Sequence, residues 1–278
     1  MNTMIEIENL EFGYHRKRPV FSGLDLSLKT GHIYGLLGKN GVGKTTLLKL
    51  MSGLLFPKSG TVNIMGCDPR LRQPSLLSRL FFLPEEIWLP EMRPKQYARL
   101  LSAFYPEFSF ELLEKAMEEF EVSDQAKLNH LSYGQRKKFL ICLGIASNAR
   151  LLIMDEPTNG LDIPSKSSFR RLISSASVDD RCIVISTHQV RDLENLIDAL
   201  IVMDNSQVYI NATTERILEC LSFRQVRQEE EVLYAEDSLR GKWGVVENTT
   251  GEESKLDMEL FFNAVLKNPR KMTEIFNR

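Results

Sequence analysis

A glycine-rich segment, GKNGVGKT, runs from Gly38 to Thr45 and fits the pattern G-x-x-x-x-G-K-[ST]. It follows a short apolar stretch typical of a strand and precedes leucines at helical spacing. Glycines there let backbone N–H groups turn inward around phosphate oxygens, and the helix start adds partial positive charge. The candidate phosphate-binding residues are Gly38, Asn40, Gly41, Gly43, Lys44, Thr45 and Thr46. Lys44 would reach the β- and γ-phosphates of a nucleotide, and the Thr45 hydroxyl would bind Mg²⁺. The alternative is a plain glycine-rich turn.

A second chemical signal is RLLIMDE, Arg150–Glu156, in which four apolar residues precede two carboxylates. The apolar run is typical of a strand covered on both faces. At its tip, Asp155 would hold Mg²⁺ directly or through water. Glu156 would then orient and polarise an attacking water as a general base. Taken alone, the segment would be better explained as a core strand that ends in a solvated acidic turn.

The segment LSYGQ, Leu131–Gln135, lies shortly before the acidic strand. It resembles the LSGGQ signature of ATP-binding cassette (ABC) ATPases, with Tyr133 in place of the first glycine. With the glycine-rich loop, the acidic strand and EPTNGLD (Glu156–Asp162), the resemblance extends from residue 1 to about residue 217. Each motif alone is moderately specific, whereas all of them in this order are highly specific for the family.

The resemblance implies that two cassettes sandwich two ATP molecules head to tail. In that arrangement Ser132, Gly134 and Gln135 face the γ-phosphate that the opposite cassette holds. The start of the helix after Ser132 is a second anion-binding site, and Ser132 is at the same time a helix N-cap. The run Asn159–Asp162 resembles the D-loop that crosses the dimer interface, which adds Asp162 to the nucleotide site.

Two further residues take their roles from the same resemblance. Tyr14, in EFGYHRKRP, resembles the aromatic residue that stacks on adenine; a core or turn tyrosine is the alternative. His188, in STHQV after a strand, resembles the switch histidine that contacts the γ-phosphate. The implied catalytic residues are therefore Lys44, Glu156 and His188.

One departure from the family pattern lies in FFLPEE, Phe81–Glu86. The family usually has a glutamine at the position of Glu85, where it touches Mg²⁺ and the attacking water. A carboxylate can accept a hydrogen bond from Mg²⁺-bound water, but it adds negative charge near the γ-phosphate. The role of Glu85 is therefore in doubt, although it is kept among the nucleotide-site residues. Tyr133 is a milder departure, because Ser132 and Gly134 remain.

The elements that must position these residues alternate between strands and helices. Strands are predicted at His32–Gly38, Thr61–Met65, Arg79–Pro84, Arg150–Glu156 and Arg181–Thr187, with a hairpin over Ala199–Ile210. This alternation indicates an α/β fold with a largely parallel sheet. The resemblance implies a P-loop NTPase core with a mainly parallel sheet, an antiparallel β subdomain and an inserted α-helical subdomain. Residues 94–120 read as two amphipathic helices separated near Pro106.

Two domains are predicted. Residues 1–217 form the cassette, with the helical insert at about 86–148, and residues 218–278 form a small C-terminal extension of unknown role. The extension opens on the charged run FRQVRQEEEV and continues with two strand-like pieces and a helix from Lys255 to Asn268. At about 60 residues it is marginal as an independent domain.

The composition limits the cellular compartments and the classes of binding partner that fit this chain. The net charge of −2 gives no bulk basic character, and no nucleic-acid partner is expected. Four cysteines without a CxxC pair are consistent with a reduced, cytosolic chain. No apolar run approaches the ~20 residues that span a bilayer. We therefore expect a cytoplasmic protein, and the resemblance to ABC ATPases implies that it is peripheral on the cytoplasmic face of the cell membrane.

The expected function is ATP hydrolysis that powers transport through a separate transmembrane permease subunit, with a second cassette as homo- or heterodimer partner. The compact insert and the LPEE and GLD motifs resemble export-type cassettes more than importers. In the family, a short helix of the permease enters a groove beside the helical insert. Here Trp88, Leu89, Met92, Tyr97 and Phe104 would line it, or else pack the core of the insert.

Two other functions are considered. A non-transport ABC ATPase acting on nucleic acid or ribosomes would carry a long coiled coil, two cassettes in one chain or a strongly basic arm, and the sequence has none of these. A small-molecule kinase would share the glycine-rich loop, but LSYGQ and His188 argue against that class.

Overall fold

The computed structural model describes residues 2–15, 18–227, 230–238 and 241–277. They fall into two compact units, Met1–Ile33 with Thr45–Thr187, and Tyr34–Lys44 with His188–Arg278. The strands are β1 (Thr3–Phe12), β2 (Phe21–Lys29), β3 (His32–Gly38), β4 (Ser59–Ile64), β5 (Leu80–Leu83), β6 (Leu151–Asp155), β7 (Cys182–Thr187), β8 (Ala199–Asp204), β9 (Gln207–Thr213), β10 (Leu221–Gln225), β11 (Tyr234–Ser238) and β12 (Gly241–Glu247). The α-helices are α1 (Lys44–Met51), α2 (Pro74–Leu77), α3 (Pro94–Ser102), α4 (Phe110–Glu119), α5 (Tyr133–Ala146), α6 (Ile163–Ala176), α7 (Thr214–Cys220), α8 (Met258–Lys267) and α9 (Pro269–Phe276). The mixed α/β class, with mainly parallel strands and separate antiparallel sheets, is the one that the sequence predicts.

In the first unit, an antiparallel sheet has the strand order β2-β1-β4. Apolar residues alternate along both long strands and are buried, among them Ile5, Ile7, Leu26 and Leu28. Strict alternation buries one face of a sheet and leaves the other to polar side chains. This sheet is the antiparallel β subdomain expected from the sequence.

The same unit contains three parallel strands in the order β5-β6-β7. Every residue of β6 and of β7 is buried, which accounts for their nearly continuous apolar sequences. Helix α5 packs against this sheet through Gly144, where an added Cβ would lie 3.1 Å from Leu152 Cδ1 and 3.2 Å from Phe81. The close packing positions the C-terminal end of α5 against the starts of β5 and β6.

Between β5 and β6 the chain forms α3, α4 and α5, which correspond to the predicted helical insert. Pro106 lies between α3 and α4, as the sequence predicts. Ser109 caps α4 by accepting a hydrogen bond from the Leu112 N–H. The limits of the insert and of the two domains remain predictions.

In the second unit, β3 runs parallel to β8, and β9 pairs antiparallel with β8. Asn205 and Ser206, with φ of 45° and 61°, make the turn of the β8–β9 hairpin. Two successive positive φ values match the twist of a tight hairpin. The hairpin predicted over Ala199–Ile210 is therefore confirmed.

The C-terminal part of this unit has an antiparallel sheet of order β10-β12-β11, followed by α8 and α9. The helix predicted over Lys255–Asn268 is present as α8, but it begins three residues later than predicted and a second helix follows it. Asp257 accepts hydrogen bonds from the N–H groups of Glu259 and Leu260 and so starts α8 at Met258. Asn268 has a non-helical backbone because it precedes Pro269, and Pro269 then begins a second helix.

Within the described ranges, no helix combines the length and the apolar character that a bilayer crossing requires.

Candidate functional site

The glycine-rich loop between β3 and α1 has the backbone that its sequence predicts. Gly41 and Gly43 have φ of +83° and +106°, values that side chains rarely allow. At Gly38, an added Cβ would lie 2.8 Å from the Met203 carbonyl oxygen. Glycine is therefore required at these three positions for steric reasons.

Lys44 is the first residue of α1 and is buried. Its Nζ donates hydrogen bonds to the carbonyl oxygens of Gly38, at 2.7 Å, and Lys39, at 3.3 Å. The loop thus curls around its own lysine, which brings the ammonium group among the residues of the predicted phosphate site. Asn40 is exposed on the same loop.

Tyr14 lies beside Thr46, in the first turn of α1. Its hydroxyl is 3.2 Å from Thr46 Oγ1, and the edge of its ring packs on Phe12 with ring centroids 5.1 Å apart. The side chain remains 58% exposed, so it is not the core tyrosine that the sequence left as an alternative. An exposed ring beside Thr46 of α1 is available for stacking on a planar base.

Asp155, at the end of β6, is held by hydroxyl groups from two directions. Thr45 Oγ1 donates to its Oδ2 at 2.7 Å, and Ser186 Oγ donates to its Oδ1 at 2.6 Å. The carboxyl is almost completely buried. Because Ser186 belongs to the neighbouring parallel strand β7, strand pairing brings it to the tip of β6.

Glu156 follows directly and has a left-handed backbone, with φ of 46°. This conformation is unfavourable for a residue with a side chain, and neighbouring groups must hold it. The Glu156 N–H donates to Ser186 Oγ at 3.0 Å, and its carbonyl oxygen accepts from Lys137 Nζ at 2.6 Å. The residue expected to be the base is therefore fixed through both of its backbone groups.

Lys137 is completely buried in the first half of α5. Besides the Glu156 carbonyl, its Nζ donates to the Asn159 carbonyl at 3.2 Å. Burial lowers the pKa of this ammonium, whereas the carboxylates of Glu85, Glu156 and Asp155 oppose the shift.

Glu85 follows β5 and contacts the signature segment of its own chain. Its carbonyl oxygen accepts a 2.7 Å hydrogen bond from the Tyr133 hydroxyl, and its Oε1 lies 3.4 Å from Asn159 Nδ2. Glu85 and Tyr133, the two departures from the family pattern, are thus in direct contact with each other.

The signature begins with Ser132, whose side chain accepts a hydrogen bond from the Gln135 N–H at 3.2 Å and caps α5. Gly134 approaches the D-loop-like segment closely, because an added Cβ would lie 3.1 Å from the Gly160 carbonyl oxygen. Asp162 caps α6, and the hydroxyl and N–H of Ser165 lower the pKa of its carboxyl by hydrogen bonding to the charged form.

His188 follows β7 and has an exposed side chain. Its Nε2 lies 3.4 Å from Gln189 Nε2. Its position at a strand end is the one that the sequence predicts.

Sequence reasoning missed two residues of this site. Ser186 was not singled out, although it ends the apolar run before His188 and so lies beside the tip of β6. Lys137 lies in the basic run Arg136–Lys138, to which the sequence analysis assigns no role. The signal for it is weak, because helical spacing alone does not decide which of three consecutive cations points inward.

Comparisons with known proteins agree with this geometry. A family model described as "ABC transporter" matches residues 21–159. The energy-coupling factor transporter ATP-binding protein EcfA of Methanosphaera stadtmanae is 30% identical over 73% of this chain and 79% of its own length. The bacitracin transport ATP-binding protein BcrA of Enterococcus faecalis is 32% identical over 73% of this chain and 67% of its own. The structure titled "Structure of ATP binding subunit of ABC transporter" superposes with a TM-score of 0.69 at 24% identity, over 77% of this chain and 91% of that one.

Proposed function

Because this chain belongs to the ABC transporter family and is an ATPase of that family, we propose that it hydrolyses Mg²⁺-ATP as one of two paired cassettes that drive transport through a separate membrane subunit. The observation that carries the proposal is the cluster at the tip of β6. There the Thr45 hydroxyl, the Asp155 carboxylate and the fixed backbone of Glu156 lie together.

The glycine-rich loop would bind the phosphates of ATP. The positive φ values of Gly41 and Gly43 suit a loop whose N–H groups turn inward, and α1 begins directly after it. Lys44 Nζ would exchange its two loop carbonyl partners for phosphate oxygens, which are stronger acceptors for a cation. Tyr14 would stack on adenine, while Gly38, Asn40 and Thr46 would complete the loop.

The residues at the tip of β6 fit a magnesium ion. The described residues contain no group of three or more His, Cys, Asp or Glu side chains suited to a metal. Magnesium commonly takes one or two protein oxygens and completes its coordination with waters and substrate phosphates. Thr45 and Asp155, already 2.7 Å apart, would supply those protein oxygens. When bound, the ion neutralises charge on the phosphate oxygens.

Glu156 would act as the general base that orients and polarises the attacking water. Its backbone is tied on both sides, so its carboxylate starts from a fixed Cα. His188 would contact the γ-phosphate, and Glu85 would lie at the edge of the same site. Lys44 would stabilise the charge that develops on the transferred phosphoryl group.

A second cassette, identical or different, would complete each nucleotide site. Ser132, Gly134 and Gln135 at the start of α5 combine backbone N–H groups with a helix N-terminus, which attracts anions. Asp162 starts α6 with an exposed side chain, as a residue at a dimer contact would. These residues would face the ATP that the partner cassette holds.

The permease would dock on an apolar groove of about 820 Å³ in the first unit. Apolar side chains dominate its lining, including Leu54, Leu77, Phe82, Leu101 and Phe104. Phe104 is 70% exposed, an unusual position for a phenylalanine unless it is covered by a partner. A short amphipathic helix of the membrane subunit fits such a groove. The chain would thereby be held at the cytoplasmic face of the membrane.

This groove differs in part from the one expected from the sequence. Leu89 is buried and belongs to the core, whereas Met92 and Tyr97 are half-buried. Trp88 is 85% exposed but does not line the groove. Of the five residues expected from the sequence, Phe104 is the one that lines this groove.

The proposal is tested by measuring phosphate release from ATP by the purified chain, with and without Mg²⁺. Activity that depends on Mg²⁺ and is lost in the Glu156→Gln variant would support it. Release of a phosphorylated small molecule instead of free phosphate would indicate a kinase and contradict the proposal.

A further inference from the structure

Lys137 is an unusual residue to find completely inside a protein. Its side chain is 0% exposed, and both of its assigned hydrogen-bond acceptors are backbone carbonyls rather than carboxylates. A buried ammonium group is costly unless its hydrogen bonds are made. The position would therefore be expected to carry an apolar residue if it served packing alone.

The carbonyls that Lys137 binds belong to two functional segments. One is that of Glu156, at 2.6 Å, and the other is that of Asn159, at 3.2 Å. Glu156 has the left-handed backbone described above, and such conformations persist where surrounding contacts over-determine them. Without Lys137, the Glu156 N–H would still bind the Ser186 hydroxyl, and its carbonyl would still accept a 3.2 Å hydrogen bond from the Asn159 N–H. Both carbonyls would lose their link to the buried α5 cation, which binds the two of them together.

Tyr133 covers the ammonium and ties it to the neighbouring loop. The Lys137 Nζ lies 5.2 Å from the centroid of the Tyr133 ring, within the range of a cation–π contact. The ring also lies on Gly160, where an added Cβ would be 3.1 Å from it. Its hydroxyl donates to the Glu85 carbonyl. One side chain therefore joins α5, the segment after β5 and the segment after β6.

We propose that Lys137 is a positioning residue for ATP hydrolysis: its two hydrogen bonds hold the backbone of Glu156 and Asn159 so that the Glu156 carboxylate is aimed at the attacking water, with Tyr133 as the cover of this contact. The inference rests on the proposed function, because it takes Glu156 as the base. In this role Lys137 acts through the two carbonyls that it binds and not by contact with the substrate.

The test compares three variants of the full chain in steady-state ATP hydrolysis. Lys137→Met keeps the length and removes the ammonium group with both of its hydrogen bonds, so kcat should fall by ~10- to 10²-fold, the usual cost of a misplaced catalytic group. The KM for ATP should stay within about twofold, because the ATP-binding residues are unchanged.

Two further variants serve as comparisons. Lys137→Gln has a neutral NH₂ group as hydrogen-bond donor and should give an intermediate kcat. Lys138→Met makes the same change at the next, partly exposed position and should stay within about twofold of the parent.

A kcat of Lys137→Met within about twofold of the parent would overturn the inference. Equal losses in the methionine and glutamine variants would also overturn it, since the donor would then not matter. If Lys137→Met does not fold, Lys137→Gln decides: a lower kcat at unchanged KM supports the inference, and the parent kcat refutes it.

Glu156→Gln, measured alongside, separates this inference from the function on which it rests. If Glu156→Gln hydrolyses ATP normally, the base assignment has failed. If Glu156→Gln is inactive while Lys137→Met is normal, the role given to Lys137 alone has failed.

Discussion

The Thr45 hydroxyl donates a 2.7 Å hydrogen bond to Oδ2 of Asp155, although the two residues are 110 positions apart in the chain. The contact joins the start of α1 to the end of β6. Both groups have oxygen atoms that a hard cation prefers. Their proximity means that one ion could bind both when ATP supplies the remaining ligands.

Asp155→Asn should therefore weaken the binding of the Mg²⁺ that supports ATP hydrolysis. The amide keeps the shape of the side chain but loses its charge, so the Mg²⁺ concentration that supports half-maximal hydrolysis should rise and the maximal rate should fall. Titrating Mg²⁺ at saturating ATP measures both quantities. Asp180→Asn, which changes an exposed acid in the same unit, is the control. An unchanged Mg²⁺ titration would remove Asp155 from the metal site.

Lys44→Ala should abolish productive ATP binding. Each charge-assisted hydrogen bond that the ammonium would make to a phosphate is worth roughly 1.5–3 kcal/mol. Equilibrium binding of a fluorescent ATP analogue and phosphate release both report the loss. Lys49→Ala removes another lysine of the same helix, five residues on, and should bind ATP normally. Unchanged ATP turnover by Lys44→Ala would refute the phosphate-binding role of the loop.

Glu156→Gln should keep ATP affinity and lose hydrolysis by ~10²–10⁴-fold, the usual effect of removing a general base. Since bound ATP then persists, the variant should elute as a dimer with ATP and as a monomer without nucleotide. Adding Ser132→Arg to it should prevent the dimer, because a bulky side chain would stand where the partner's phosphate lies. A monomer of Glu156→Gln under both conditions would contradict a sandwich of identical cassettes and leave a different cassette as the partner to test.

Glu85→Gln should leave ATP binding intact and change turnover modestly, upward if charge repulsion near the γ-phosphate limits the rate. The Tyr133 hydroxyl binds the carbonyl of Glu85 rather than its carboxylate, so that contact survives the substitution. Steady-state kinetics of phosphate release measure the effect. A loss as large as that expected for Glu156→Gln would show that Glu85 has a primary catalytic role and would require a new assignment of the base.

Structural features that depend on a short local sequence pattern were predicted correctly. The alternation in β1 and β2, the apolar runs of β6 and β7 and the two glycines with positive φ in the loop all follow from short segments. Ser132 also caps α5 as predicted, because a serine before a helix supplies the acceptor that its first N–H groups lack.

Features that depend on packing between distant segments could not be predicted in this way. Lys137 is buried while Arg136 and Lys138 are partly exposed, and the contact with the carbonyls after β6 decides which cation turns inward. Leu89 belongs to the core although Trp88 beside it is exposed. The break at Asn268 was a local feature that the sequence analysis overlooked, since Pro269 disfavours a helical residue before it.

Phe104→Glu should separate docking from catalysis. Phe104 is 70% exposed and lines the apolar groove, so a carboxylate there should be solvated in the free chain and unfavourable under a bound apolar helix. We expect normal thermal stability and ATP hydrolysis of the isolated chain, and loss of binding to membranes that contain the permease subunit. Sedimentation of the chain with such membranes measures the binding.

Val178→Glu is the control, because it changes an exposed apolar residue outside the groove and should bind normally. Trp88→Glu tests the exposed tryptophan that the sequence analysis placed on the docking surface. If membranes retain Phe104→Glu fully but release Trp88→Glu, the docking surface lies at Trp88 instead of in the groove.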